Sequence, residues 1–178
     1  MKVSFIGLGV MGYPMSGHLI SKNNDLEIKV YNRSIQKTEK WVSEFNGILT
    51  KTPAEAAENS DIVFMCVGND KDVDQVVRGD EGIMSSIPEN SIIVDHTTAS
   101  AKIALDLYDF CKSTKNVSFI DAPVSGGQAG AENGQLTIMV GGDEYSYKKI
   151  EPLLKSYAKN STLIGKSGSG QLAKMVNQ

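Results

Sequence analysis

Short apolar runs alternate with amphipathic stretches along this chain, and that alternation narrows the fold more than any other feature. Val3–Ile6, Ile28–Tyr31, Ile62–Val67, Ile92–Asp95 and Val117–Asp121 are brief and rich in branched side chains, which predicts strands. Between them lie helical patterns: Met11–Ser21, with Met11, Met15 and Leu19 on one face, then Ile35–Phe45, Val73–Val77 and Ser100–Lys112. Thr52-Pro53-Ala54-Glu55 is a capping box with proline at the first helical position, and it opens a short helix to about Glu58. A strand at Leu136–Val140, a helix over Asp143–Tyr157 and a last short strand at Thr162–Ile164 complete the pattern. Ile62–Val67 has no polar interruption, as expected of a strand covered on both faces. Parallel neighbours need a helical crossover. The pattern therefore predicts an α/β fold, a doubly wound, mostly parallel sheet with helices on both faces.

The 178 residues suffice for one domain with a full core. Eighteen basic residues stand against 21 acidic ones, giving a net charge of −3 with no basic run. That argues against nucleic acid or an anionic membrane as partner. An anionic ligand would have to be met by backbone amides and one or two placed cations. Cys66 and Cys111 are far apart and lack a CxxC pattern, so they read as reduced core residues. No stretch approaches the roughly 18 apolar residues of a membrane span, and the start, MKVSFIGLG, is not a signal peptide. The expected compartment is the cytoplasm, or an organelle matrix after removal of a targeting peptide. No cluster of His, Cys and carboxylate has metal-ligand spacing, so no metal is expected. His18 reads as a partly exposed helix residue, whereas His96, at a strand end, has the cofactor cleft as one possible setting.

Gly7-Leu8-Gly9-Val10-Met11-Gly12 follows the first strand and opens the first helix. Glycine serves three ends in such a turn: a tight bend, close approach of a pyrophosphate, and close helix–strand packing. The helix N-terminus adds free N–H groups and partial positive charge. A glycine turn without ligand, or a loop for S-adenosylmethionine, can carry the same spacing, but strand before and helix after favour a dinucleotide. A carboxylate at the end of the second strand would bind the ribose 2′-hydroxyl of NAD. Here that segment is Tyr31-Asn32-Arg33-Ser34. Arg33 can fork onto a 2′-phosphate, with hydrogen bonds from Asn32 and Ser34, so NADP(H) is preferred over NAD(H). The alternative for this segment is a solvated turn with a surface arginine.

Asp121-Ala122-Pro123-Val124-Ser125-Gly126-Gly127 follows another strand. Two glycines after a serine leave amides uncovered, a nest suited to a carboxylate, though a turn between two strands fits the spacing as well. After Gly165-Lys166-Ser167-Gly168-Ser169-Gly170 a new helical pattern begins, carrying Lys174 with Gln178 one turn later. Residues 1–164 are expected to form the dinucleotide-binding domain. Residues 165–178 are expected to begin an interdomain helix, with a C-terminal helical domain absent.

GLGVMGYPM, DAPVSGGQAGAENGQLTIMVGG and GSGQLAKMVNQ together span most of the chain. In these segments it resembles the β-hydroxyacid dehydrogenase family, which includes 3-hydroxyisobutyrate dehydrogenase, tartronate semialdehyde reductase, the NADPH-dependent glyoxylate and succinic semialdehyde reductases and, more distantly, 6-phosphogluconate dehydrogenase. The resemblance implies hydride transfer between nicotinamide and a small β-hydroxy acid or its semialdehyde, with Lys174 exchanging the hydroxyl proton. It implies cofactor contacts from Gly7, Leu8, Gly9, Val10, Met11 and Gly12, from Asn32, Arg33 and Ser34, and from Val67, Gly68 and Thr98. Gly68 replaces a proline common in the family. Ser125, Gly126 and Gly127 are implied to hold the substrate carboxylate, with Thr97, Asn177 and Gln178 also at the substrate. Asn177-Gln178 stands where many members have an asparagine one turn past the lysine, an ending similar to that of tartronate semialdehyde reductases. A homodimer or homotetramer is implied for the full-length protein. A dinucleotide-binding sensor without catalysis is the alternative; Lys174 beside an intact Ser-Gly-Gly loop favours the enzyme.

Overall fold

The computed structural model describes residues 1–178. The chain alternates β1 (Lys2–Ile6), α1 (Gly12–Ser21), β2 (Glu27–Tyr31), α2 (Ile35–Glu44), β3 (Ile48–Leu49), α3 (Pro53–Ala57), β4 (Ile62–Met65) and α4 (Asp70–Arg78). A 3-10 turn (Ile83–Ser85) leads to β5 (Ile92–Asp95), α5 (Ala101–Lys115) and β6 (Ser118–Asp121). The remainder is β7 (Val124–Ser125), α6 (Gly127–Glu132), β8 (Leu136–Gly141), α7 (Glu144–Leu154), β9 (Ala158–Gly165) and α8 (Ser169–Asn177).

Strands β3, β2, β1, β4, β5 and β6 run parallel in that spatial order. The order reverses at β1, so loops leaving β1 and its neighbours diverge and open a crevice at the carboxyl ends of the strands. This is the doubly wound Rossmann arrangement that the alternation predicts. Strand faces follow a period of two. Val3, Phe5, Ile62, Phe64, Ile92 and Val94 join one core with Met15 and Leu19 of α1, Trp41 of α2 and Ile150 of α7. Ile6, Val63, Met65 and Ile93 join the other with Ala56, Val73, Val77 and Leu107 from α3, α4 and α5.

Beyond β6 the sheet turns antiparallel. Asp121 pairs with Gly141, Val124 with Ile138 and Ser125 with Thr137, so β6 and β7 are one strand in constant register against β8, interrupted at Ala122-Pro123. Strand β9 then lies parallel to β8 on its far side.

Several local readings change. The Ser-Gly-Gly segment is not a turn between strands: Gly126 (φ +132°) and Gly127 (φ +62°) lead from β7 into α6, which packs on α1. Strand β9 is longer than the expected Thr162–Ile164 and takes in the polar run Lys159-Asn160-Ser161. At α3 half of the capping box is made: the Thr52 hydroxyl accepts from the Glu55 N–H (3.0 Å), but the Glu55 carboxylate accepts from the Lys51 N–H (2.8 Å), one residue before the N-cap, and not from that of Thr52.

Candidate dinucleotide cleft and the lysine helix

A cleft of about 1020 Å³ opens at the carboxyl ends of β1, β2 and β4. Among its lining residues are Gly7, Gly9, Val10, Met11, Gly12, Asn32, Arg33, Ser34, Val67 and Gly68, so most of the expected cofactor contacts meet on one surface.

The three glycines differ in physical role. Gly7 has φ +96°, and a Cβ there would run into the Cys66 carbonyl. A Cβ on Gly12 would meet the Gly7 carbonyl and lie 3.2 Å from the Phe5 ring, so this glycine lets α1 settle on β1. A Cβ on Gly9 would meet nothing within 4 Å; its open side is where a ligand can come close to the backbone. The N–H groups of Gly9, Val10, Met11 and Gly12 make no intramolecular hydrogen bond, and no acidic side chain stands in the first turn of α1. Four free donors at a helix N-terminus make an anion cradle.

Leu8 does not belong to that cradle. Its side chain is in the core, and its N–H donates to the Asn32 Oδ1 at 2.8 Å. Asn32 Nδ2 in turn donates to the Ser34 carbonyl (3.1 Å), and the Ser34 hydroxyl donates to Gln36 (3.0 Å). Asn32 is thus a strut between the glycine turn and the end of β2, with one of its two amide N–H groups committed to that role and its side chain still on the cleft surface. Arg33 is exposed on the cleft wall without an ion-pair partner. Lys37, one turn into α2, lines the same wall and is likewise unpaired; sequence reading missed it, although an uncommitted lysine four residues after Arg33 was a visible signal. The cleft is also lined by Asp72, Asp80 and Glu81, so its lining carries charges of both signs.

The second group of expected residues is absent from the lining of this cleft and lies after β5, at the β7–α6 junction and on helix α8. Thr97 is 2% exposed, and its hydroxyl accepts from the Val67 N–H at 2.9 Å. Its side chain braces the cleft wall, whereas Thr98 is exposed. Ser125 is half-buried on β7, and Gly126 and Gly127 are exposed, with open space where a Cβ on Gly127 would stand. Lys174 is half-buried on α8 and makes no hydrogen bond or ion pair; Asn177 and Gln178 are exposed. The start of α8 is fixed by buried Asp121, whose Oδ1 accepts from the Gly168 N–H (2.8 Å) and Oδ2 from the Gln171 N–H (3.0 Å). Burial raises the Asp121 carboxyl above its ordinary range, and these backbone donors oppose that rise.

Beside it, burial lifts the Asp95 carboxyl to about 7 against the N–H of Thr97, which donates at 2.9 Å. His96 is not in the cleft. Its Nδ1 donates to the Ala122 carbonyl (2.7 Å), which leaves Nε2 to accept from the Tyr157 hydroxyl (2.8 Å). Burial lowers it to about 4, so the ring is neutral in the core. Cys66 lines the cleft rather than the core interior alone, with burial pushing its thiol up to about 12.

Comparison with known proteins fits this geometry. Residues 2–165 match the family model described as the NAD binding domain of 6-phosphogluconate dehydrogenase. An uncharacterized oxidoreductase of Shewanella frigidimarina is 50% identical over 177 residues, covering 99% of this chain and 60% of the relative. The 2-hydroxy-3-oxopropionate reductase of Escherichia coli is 34% identical over 180 residues, covering 100% of this chain and 59% of the relative. Among solved structures, Psf3 in complex with NADP+ and 2-OPP superposes with a TM-score of 0.90 at 27% identity, covering 98% of this chain and 61% of that one. The chain thus spans about 60% of the length of these relatives. No helix is long and apolar enough to cross a membrane.

Proposed function

Since the chain belongs to the family of the NAD-binding domain of 6-phosphogluconate dehydrogenase, we propose that it is the NADP(H)-binding part of an oxidoreductase acting on a small β-hydroxy acid or its semialdehyde. The observation that carries the reading is the cleft itself: four free amides at Gly9–Gly12 and two unpaired cations, Arg33 and Lys37, line it together. Its volume lies at the top of the ~300–1,000 Å³ range of small-molecule sites, as a dinucleotide requires. The amides hold the pyrophosphate. Arg33 and Lys37 hold the 2′-phosphate at the N-terminus of α2, whose first turn has no acid to compete. The similarity to the E. coli 2-hydroxy-3-oxopropionate reductase supports the substrate class, and that to the NADP+ complex supports the cofactor.

The bound cofactor supplies or accepts a hydride at its nicotinamide ring. The rest of the chemistry falls to the chain. Ser125 and the amides at Gly126 and Gly127 receive the substrate carboxylate, and Thr98 borders the ring. Lys174 takes the hydroxyl proton during oxidation and returns a proton to the carbonyl oxygen during reduction. In this reading residues 1–164 form the dinucleotide unit, and residues 165–178 begin an interdomain helix.

The test is Lys174→Ala in the natural full-length protein, with NADPH and short aldehyde acids. The expected result is a kcat lower by orders of magnitude and an NADPH affinity within a few-fold of the parent. A large loss of NADPH affinity with kcat preserved would make Lys174 a structural residue and sink the assigned chemistry.

A further inference from the structure

A glutamine in the first turn of a helix ordinarily faces solvent, yet Gln171 is only 2% exposed and both ends of its side-chain amide are engaged. Its Nε2 donates to the Thr97 carbonyl at 2.8 Å, and its Oε1 accepts from the Ala99 N–H at 3.1 Å. The pairing has one sense, because a carbonyl can only accept and an amide N–H only donate. Its own N–H donates to Asp121. The carboxylate it meets sits where side chains are excluded: a Cβ on Gly141 would lie 2.7 and 2.8 Å from the two Asp121 oxygens, and one on Gly170 would lie 2.9 Å from Oδ2.

The far end of this connection is the cofactor cleft. Thr97, whose carbonyl Gln171 holds, also receives the Val67 N–H on its hydroxyl, and Val67 lines the cleft. One line of hydrogen bonds therefore runs from the cleft wall through Thr97 and Gln171 to Asp121. Lys174 is three residues beyond Gln171, on the same helical face and one turn along.

We propose that Gln171 is a positioning residue that splices helix α8 to residues 97–99 and thereby sets Lys174 against the cofactor. The inference rests on the role of Lys174 proposed above. An apolar side chain of similar length would fill the space but leave the Thr97 carbonyl and the Ala99 N–H without partners. Helix α8 would then be free to turn about its Asp121 anchor. A shift of about 1 Å in a reacting group can cost on the order of 10²-fold in rate.

The experiment compares Gln171→Met, Gln171→Glu, Lys174→Ala and the Gln171→Met/Lys174→Ala double variant in the natural full-length protein. Turnover is followed with NADPH and succinic semialdehyde or glyoxylate, and NADPH affinity is measured separately. Gln171→Met should lower kcat by about 10²-fold with NADPH affinity within twofold. Gln171→Glu, which keeps the acceptor for Ala99, should recover part of that loss. In the double variant the methionine should add nothing to the lysine defect, since the two act as one unit. A Gln171→Met enzyme with parental kcat beside an inactive Lys174→Ala would overturn the positioning role and leave the proposed function standing. Losses that multiply in the double variant would make Gln171 merely structural. A fully active Lys174→Ala would overturn the role assigned to the lysine, and the inference with it.

Discussion

Asn32 carries more of the cofactor site than its single amide suggests. Its Oδ1 is the only acceptor for the Leu8 N–H, so Asn32→Ala would orphan a buried donor at a cost of about 1–3 kcal/mol. Asn32→Asp keeps that acceptor but places a negative charge beside Arg33. It should weaken NADPH binding at least tenfold and leave NADH binding unchanged or tighter, as read by titration; equal losses for both cofactors would mean that the strut, and not the charge, governs affinity. A second residue-scale prediction concerns pH. Asp95, raised to about 7 from an ordinary 3.8, is protonated in the folded chain while the unfolded chain has ionised, so its contribution to stability falls as pH climbs from about 4 to 7. His96, lowered to about 4 from 6.5, stays neutral in the fold while the unfolded chain takes a proton, so its contribution rises with pH from about 4 to 6.5. The two oppose each other over the same window. Asp95→Asn preserves the acceptor for the Thr97 N–H and removes only the falling arm. The urea midpoint of that variant should therefore rise more steeply than the parent's between pH 4 and 6.5, and parallel profiles would contradict the opposition.

At the scale of elements, the glycine turn separates packing from binding. Gly12→Ala forces a methyl against the Gly7 carbonyl and the Phe5 ring, and should lower stability by about 1–3 kcal/mol. Gly9→Ala meets no protein atom, so its thermal midpoint should match the parent's while NADPH binding weakens, because the methyl would stand in the path proposed for the pyrophosphate. A Gly9→Ala chain that binds NADPH normally would place the ligand elsewhere. These elements were legible in the sequence because their signals are local: a glycine spacing, a capping box, unbroken apolar strands. Others were not. Strand β7 has two residues, and α6 is glycine- and alanine-rich without an apolar period, so neither has a pattern to read. Strand β9 begins in a polar, exposed run that resembles a loop until its pairing with β8 is known. The burial of Gln171 depends on contacts with residues about seventy positions away, which no spacing rule reports.

For the molecule as a whole, the parallel half of the sheet holds the dinucleotide cleft, while the antiparallel extension holds the Ser125–Gly127 segment and supports α8. The sequence carries local signals for both groups of residues but none for their separation into a cleft and a helix joined by hydrogen bonds through Thr97. Nor does it report the mixed charge of the cleft, lined by Arg33 and Lys37 together with Asp72, Asp80 and Glu81, because that depends on which segments the fold brings to one crevice. The central claim is that Arg33 and Lys37 select a 2′-phosphate. Fluorescence titration of the chain with NADPH and NADH, repeated on Arg33→Ala and Lys37→Ala, tests it most directly. NADPH should bind at least tenfold more tightly, a gap of about 1.4 kcal/mol or more, with Arg33→Ala erasing the gap and Lys37→Ala narrowing it. NADH binding as tightly as NADPH, or more so, to the parent chain would contradict the claim.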